Sequence, residues 1–257
     1  MKILSKIWWL PLTVWIMVAP VIMSGHISST FCRKVEVMVA DSSLYRFVTP
    51  AAVLDIVRSG GREVAGKPCG EIDIRGIEKE ILEMKELEKA DVFVTGDGIL
   101  RVEVDQRDPV ARIITRYGVS YYTDRNGVVV PHTGSYTPRV TVVSGYLEIP
   151  DSITGGGSLR DAGEESLLAN ILDMVNYING DKFWKAQIEQ IWINPQQELE
   201  IVPMAGNHII RFGKAEDYLV RFACLEEFYR SALPLVGWNS YSEIDLRFKG
   251  QIVCTRR

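Results

Sequence analysis

The sequence has few of the residues with which enzymes usually bind metals or transfer protons. Of its 257 residues only three are histidines, His26, His132 and His208, and they are isolated from one another. No Gly-x-Ser-x-Gly or His-Glu-x-x-His motif occurs, which excludes a nucleophile elbow and a zincin-type metal site. We therefore expect no catalytic residue, no cofactor and no metal, and we interpret His132 and His208 as ordinary surface residues.

Cysteines and basic clusters are also scarce. The four cysteines, Cys32, Cys69, Cys224 and Cys254, are never in Cys-x-x-Cys spacing, so a zinc or redox motif is not indicated. A disulfide between Cys32 and Cys69 and a set of buried thiols are both compatible with the sequence. The net charge of −4 and the lack of a basic cluster argue against a nucleic-acid partner.

Carboxylates, in contrast, are plentiful. A pair of them in a cleft would suit a membrane-anchored cell-envelope glycan hydrolase, which is the alternative to a non-enzymatic function. Most lie on predicted helix surfaces, as Glu78, Glu83 and Glu88 do, and the pattern singles out no pair. The run Gly155-Gly156-Gly157-Ser158 lacks a Walker lysine and is interpreted as a mobile loop rather than a phosphate site.

One long apolar run stands near the start of the chain. Residues 7–23 carry no charge, and with Ser24 and Gly25 they predict a transmembrane helix over residues 7–25. Lys2 and Lys6 precede the run, so residues 1–6 are expected to form a short cytoplasmic tail with the remainder outside. The alternative is a cleaved signal peptide, although the run exceeds the usual ~7–15 apolar residues. Both interpretations place the bulk of the chain outside the cytoplasm.

The first exported segment, residues 31–108, has the pattern strand-helix-helix-strand-strand. Apolar alternation predicts strands over 32–40, 91–95 and 99–105, and Gly96-Asp97-Gly98 predicts a hairpin between the last two. Helices are expected after Thr49-Pro50 and after the capping residue Asp73. This order indicates a small α+β domain.

The second segment, residues 109–257, is richer in strands, and we expect a mixed α/β domain with a largely antiparallel sheet. A strand is predicted over 140–149, and helices are predicted over 161–179 and 215–233. The first helix has Asp161 and Glu164 as a capping pair, and one apolar stripe runs along it, formed by Leu167, Leu168, Ile171, Leu172, Val175 and Ile178. Period-2 alternation over residues 243–255 predicts one long terminal strand. A strand of that length could leave backbone groups free for β-augmentation by a partner, or it could be fully paired within its own sheet.

The order of these parts resembles the FtsQ/DivIB family of bacterial cell-division proteins. The junction Val102-Glu103-Val104-Asp105-Gln106-Arg107-Asp108-Pro109-Val110-Ala111 is similar to the family's acidic-arginine-x-proline-valine-alanine junction, with Gln106 where glutamate is usual. The closing run from Ile244 to Val253 is similar to the family's final strand.

The resemblance implies a membrane-anchored, non-enzymatic scaffold with a POTRA domain over residues 31–108 and a β domain over 109–257. It implies localisation to the bacterial inner membrane at the division septum, with the bulk of the chain in the periplasm. It also implies single-pass coiled-coil partners of the FtsB/FtsL type, and neither a nucleic acid nor a small-molecule substrate. An outer-membrane assembly role would need tandem POTRA modules or a barrel, for which the chain has no room. The partner-binding residues carried over from the family are Arg247, Phe248, Lys249, Gly250, Gln251, Ile252 and Val253.

Overall fold

The structure, a computed structural model, describes residues 14–18, 30–40, 46–59, 63–132, 134 and 136–257. The chain divides into two compact units, Met1–Gln106 and Arg107–Arg257, which are described separately. Of the predicted transmembrane segment only residues 14–18 are described, and they are helical. None of the helices in the described ranges is long and apolar enough to cross a membrane, so the transmembrane helix stays a prediction.

The first unit has the predicted strand-helix-helix-strand-strand order. Thr49 caps the first helix by accepting a hydrogen bond from the Ala52 N–H at 3.2 Å, and Asp73 caps the second by accepting from Gly76 at 3.0 Å. Strand β3 lies between the other two strands, parallel to β1 and antiparallel to β2. The elements are β1 (Lys34–Val39), α1 (Pro50–Arg58), α2 (Ile74–Ile81), β2 (Leu87–Val94) and β3 (Ile99–Gln106).

The core of this unit follows the predicted alternation. Leu100, Val102 and Val104 of β3 are buried, and they pack in one cluster with apolar residues of both helices. Cys32 and Cys69 belong to the same cluster as free thiols, and burial raises the pKa of the Cys69 thiol.

The second unit contains a nine-stranded mixed sheet in the order β12-β11-β10-β9-β8-β7-β4-β5-β6. Its pairs β4–β7, β7–β8 and β10–β11 are parallel, and the other five pairs are antiparallel. The strands are β4 (Pro109–Ile114), β5 (Ser120–Asp124), β6 (Val129–Pro131), β7 (Thr141–Gly145), β8 (Ile188–Ile193), β9 (Leu199–Pro203), β10 (Ile209–Gly213), β11 (Tyr241–Asp245) and β12 (Val253–Arg256). The helices are α3 (Asp151–Thr154), α4 (Leu167–Gly180), α5 (Lys182–Gln187), α6 (Tyr218–Ser231) and α7 (Leu233–Val236).

One face of this sheet is covered by helices. The inward side chains of the strands share a single core cluster with the buried stripes of α4 and α6 and with Trp184 of α5. Polar side chains at the alternate positions of the strands, such as Arg112, Glu200, Arg211 and Glu243, lie on the other face, together with the exposed Trp192 and Val202. The sheet is therefore half-buried, as its period-2 pattern predicts.

The predicted start of the long helix at residue 161 is wrong. Residues Leu159–Ala162 form a separate 3₁₀ turn, in which Ser158 and Asp161 make a capping box. Gly163, at φ 112°, then leaves helical geometry, and Ser166 caps α4 by accepting from the Ala169 N–H at 3.2 Å. The apolar stripe itself is confirmed, because Leu168, Ile171, Leu172, Val175 and Ile178 are all buried.

Strand β7 ends earlier than the predicted range 140–149 because Gly145 has φ 117°. A Cβ atom at Gly145 would overlap the carbonyl oxygen of Ile193 on the neighbouring strand β8. This close approach brings the parallel strands together where both end.

We expect Gly145→Ala to be more destabilising than Gly163→Ala, although the two glycines have φ values of 117° and 112°. Gly163→Ala meets open space and should cost about 1–3 kcal/mol through backbone strain alone. Gly145→Ala should add about 1–3 kcal/mol for the clash with Ile193. Urea denaturation of the two variants measures the difference, and equal midpoints would contradict the close packing at Gly145.

His208 is not the surface residue that the sequence suggested. It is only 2% exposed, and its Nε2 lies 2.8 Å from the hydroxyl of Tyr229, whose own ring packs against Trp238. Burial lowers the pKa of His208, an effect to which the nearby Arg257 adds, whereas the backbone carbonyl of Trp238 opposes it. The ring is therefore held neutral inside the second unit.

The buried His208 should make the stability of the second unit fall in acid. Because its folded-state pKa is lowered, the unfolded chain binds the proton more readily below about pH 6.5, so unfolding is favoured as the pH falls. The variant His208→Gln should lose this pH dependence, whereas His132→Gln should keep it. Urea midpoints measured on both sides of this pH test the expectation, and a His208→Gln profile parallel to that of the wild type would contradict it.

Candidate partner-binding site

The end of the chain is a hairpin rather than the single long strand predicted over residues 243–255. Strand β11 ends at Asp245 and β12 begins at Val253, and the two pair antiparallel with Ile244 opposite Cys254. Between them Gly250 adopts φ 74°, and the Gln251 N–H points back to the Phe248 carbonyl at 3.5 Å. The alternation misled the prediction because both arms of the hairpin place their apolar residues toward the same core.

Of the two arms, only β12 borders open space. Strand β11 is paired on both sides, parallel to β10 and antiparallel to β12. Within the described residues β12 pairs with β11 alone, so its other side is an edge of the sheet. The free edge therefore covers Val253–Arg256 and not the full predicted run.

The backbone pattern shows which groups of β12 face outward. The Leu246 N–H donates to the Arg211 carbonyl of β10 at 2.9 Å. Because N–H groups alternate sides along a strand, those of Glu243 and Asp245 face β12. Their register partners Thr255 and Val253 face back toward β11, so the N–H and C=O groups of Cys254 and Arg256 point outward.

The opposite edge of the same sheet is covered by the chain itself. The Val129 N–H of β6 donates to the Gly157 carbonyl at 2.9 Å, and Val128 forms a bridge with Ser158. Of the two edges of this sheet, β12 is therefore the one that offers the more open row of backbone groups.

The loop between the hairpin strands is held by Arg247. Its guanidinium contacts both carboxylate oxygens of Asp245, with Nε–Oδ1 at 3.0 Å and Nη2–Oδ2 at 2.7 Å, and it reaches Glu198 at 3.2 Å. The backbone N–H of Arg247 also donates to Asp245 at 3.0 Å. These hydrogen bonds hold the pKa of Asp245 below its ordinary value and raise that of Arg247.

A second arginine extends this charged network across the outer face of the sheet. Arg211 of β10 lies between Glu200 of β9 at 3.3 Å and Glu243 of β11 at 2.8 Å. Its hydrogen bond lowers the pKa of Glu243. On the outer face beside the hairpin each of the two arginines therefore contacts two carboxylates of the same unit.

A groove of about 370 Å³ runs beside the hairpin loop. One wall is the loop itself, and the other is the start of α6 with its preceding turn. Phe248 is 48% exposed and Val220 is 67% exposed, so the groove offers apolar surface to solvent. The residues that line it are Asp217, Val220, Arg221, Cys224, Leu246, Arg247, Phe248, Lys249, Gly250, Gln251 and Ile252.

The structure therefore gives the predicted partner-binding residues two different settings. Residues 247–252 line the groove, and only Val253 belongs to the edge strand. Arg247 is occupied by Asp245 and Glu198, whereas Phe248 is exposed. The sequence analysis did not identify Val220 and Cys224 as residues of this site. Their spacing of four residues places them on one face of α6, and this spacing could have indicated them. That face lies beside the buried stripe of Phe222, Leu225 and Tyr229.

The two buried carboxylates of the second unit are both paired with arginines. Asp124 lies 2.7 Å from Arg107, and Asp245 is held by Arg247. A glycosidase acid needs a raised pKa, whereas the pKa of Asp245 is lowered. This arrangement gives the glycan-hydrolase alternative no support.

These features define a class of protein: a strand-helix-helix-strand-strand module joined to a mixed-sheet unit that ends in an open-edged hairpin. A POTRA-like domain model matches residues 30–105, and a model described as FtsQ/DivIB, C-terminal related, matches residues 108–255. Because the second match covers more than half of the chain, the chain belongs to the FtsQ/DivIB family. No curated protein matches the sequence.

Membership of the family sets the general function. FtsQ/DivIB proteins are division-associated membrane proteins and are generally non-enzymatic. The two matched domains support a scaffold role in cell division.

We expect Asp245→Ala to loosen the hairpin loop, because it removes the acceptor for both the side chain and the backbone N–H of Arg247. Hydrogen exchange over residues 246–252 should become about tenfold faster, since hydrogen bonds to charged groups contribute about 1.5–3 kcal/mol. The matched control is Glu198→Ala, which removes only the partly exposed outer contact of Arg247. Equal exchange in the two variants would contradict the assigned role of Asp245.

Proposed function

We propose that the chain is a single-pass membrane scaffold of the division machinery that captures FtsB/FtsL-type partners at its terminal hairpin. A segment of the partner adds a strand to the outer side of β12 while a neighbouring side chain enters the groove beside Phe248. The observation that carries this proposal is the open edge Val253–Arg256, which adjoins exposed apolar surface. Family membership supports the division role.

Main-chain pairing supplies affinity for this mode of binding, and side-chain pockets supply specificity. Cys254 and Arg256 present outward N–H and C=O groups that a partner strand would satisfy. The groove is lined by the apolar side chains of Phe248 and Val220 and by Asp217 and Arg221, which contact each other at 3.3 Å. A partner segment with an apolar anchor next to an extended stretch fits both features.

The proposed topology puts residues 1–6 in the cytoplasm, a helix across the inner membrane over residues 7–25, and both folded units in the periplasm at the septum. Lys2 and Lys6 before the uncharged run support this orientation. Protease protection in spheroplasts tests it: both units should be cleaved by added protease. Protection of both units would contradict the exported topology.

Arg256→Pro should abolish capture of the partner while the protein stays folded. Proline removes the outward N–H and is tolerated on an edge strand. The matched control Arg256→Ala removes the same side chain but keeps the N–H, and it should bind nearly as well as the wild type. Binding of a purified FtsB/FtsL-type complex from the same organism to the full chain, measured by biolayer interferometry, separates the variants. Wild-type affinity in Arg256→Pro would refute strand addition at this edge.

Phe248→Ala should weaken binding of the same partner by about tenfold, as expected for an aromatic residue whose contacts contribute 1–2 kcal/mol to an interface. Leu235→Ala is the matched control, because Leu235 is 85% exposed and does not line the groove. The same binding measurement checks both variants. Equal affinities for the two would show that the groove takes no part in capture.

A further inference from the structure

The first unit has a basic and aromatic surface at the point where the chain enters it. Arg33, Lys34, Arg58 and Lys67 are exposed and line one broad concavity. Phe31 lies beside them and is 61% exposed. We refer to these five residues as the entry patch.

Backbone hydrogen bonds hold the entry patch in place. Phe31 and Pro68 form an antiparallel bridge, flanked by hydrogen bonds from the Cys32 N–H to the Lys67 carbonyl and from the Cys69 N–H to the Thr30 carbonyl, both at 2.8 Å. Cys32 points into the core, so its neighbours Phe31 and Arg33 point outward. The patch thus combines residues at the start of β1 with Arg58 at the end of α1 and Lys67 in the segment that precedes α2.

The charge of the entry patch is predominantly positive. Glu63 is the acidic residue among the described residues that line the concavity, and Lys34 also pairs with Glu36 at 2.5 Å. Asp97 interacts electrostatically with Arg33, so the four basic residues of the entry patch have three acidic neighbours and remain in excess. Such a surface favours an anionic partner, although the protein as a whole has a net charge of −4.

The position of the entry patch along the chain identifies the partner. Thr30 lies five residue steps after Gly25, the end of the predicted transmembrane helix, and five fully extended steps reach only roughly 18 Å. The headgroup layer adds roughly 5–8 Å beyond the hydrocarbon core. An exposed aromatic residue among basic residues at this distance is typical of a membrane-surface contact.

We propose that the entry patch rests on the anionic phospholipid headgroups of the bilayer, with Phe31 at headgroup level and Arg33, Arg58 and Lys67 against the phosphates. This inference rests on the anchored topology proposed above. The contact orients the first unit relative to the membrane.

The test uses the full chain in nanodiscs of phosphatidylcholine, alone or mixed with phosphatidylglycerol, and measures hydrogen exchange over residues 30–34 and 63–69. Exchange should slow by about fivefold when phosphatidylglycerol is present, the effect that one basic residue at an anionic surface supports, and the difference should vanish in high salt. The double variant Arg58→Gln with Lys67→Gln should lose the difference. The control Lys182→Gln with Lys185→Gln, on exposed positions of the second unit, should keep it.

Three results would overturn the proposal, and they are distinguishable. Equal exchange in both lipid compositions, with the chain bound to the discs, refutes the headgroup contact of the entry patch and leaves the anchored topology unaffected. Equal slowing by inorganic phosphate in phosphatidylcholine discs assigns the patch to a free anion instead of the membrane. A chain that elutes apart from the discs overturns the anchored topology, and the contact with it, whereas partner capture at the hairpin is measured separately.

Discussion

The hydrogen bond from the Leu246 N–H to the Arg211 carbonyl determines which backbone groups of the hairpin β11–β12 point outward. It aligns β11 with β10, and the strict alternation of backbone groups then decides which N–H and C=O groups of β12 are used internally and which point outward. The loop that follows is held by hydrogen bonds from Arg247 to Asp245. These two residues flank Leu246, which is buried in the core. The edge, the loop and the groove all depend on this one pairing.

The hairpin also explains why the site has two kinds of surface. The edge strand offers main-chain hydrogen bonds that are nearly independent of sequence, whereas the groove offers Phe248 and Val220 as apolar contacts. The charged residues nearby, Arg211 and Arg247, are satisfied by carboxylates of the same sheet. Salt bridges of this kind position the loop, and they leave the apolar and main-chain groups to select a partner.

Both units depend on half-buried sheets, but they cover them differently. In the first unit two capped helices cover a three-stranded sheet whose central strand β3 is buried through Leu100, Val102 and Val104. In the second unit α4, α5 and α6 cover one face of nine strands and leave the opposite face exposed. Because the helices contribute their own apolar stripes to each core, the spacing of those stripes is the sequence property that predicts where the helices lie.

The sequence by itself determined the elements whose signals are local. The caps at Thr49 and Asp73, the stripe of α4 and the alternation of β3 depend on neighbouring residues along the chain, and the structure confirms each of them. Only the tertiary structure decided that residues 243–255 reverse at Gly250, that His208 is enclosed by Tyr229 and Trp238, and that Val220 of α6 faces the hairpin loop. These features depend on contacts between residues far apart in the chain, and a period-2 pattern reads the same whether a strand continues or folds back onto the same core.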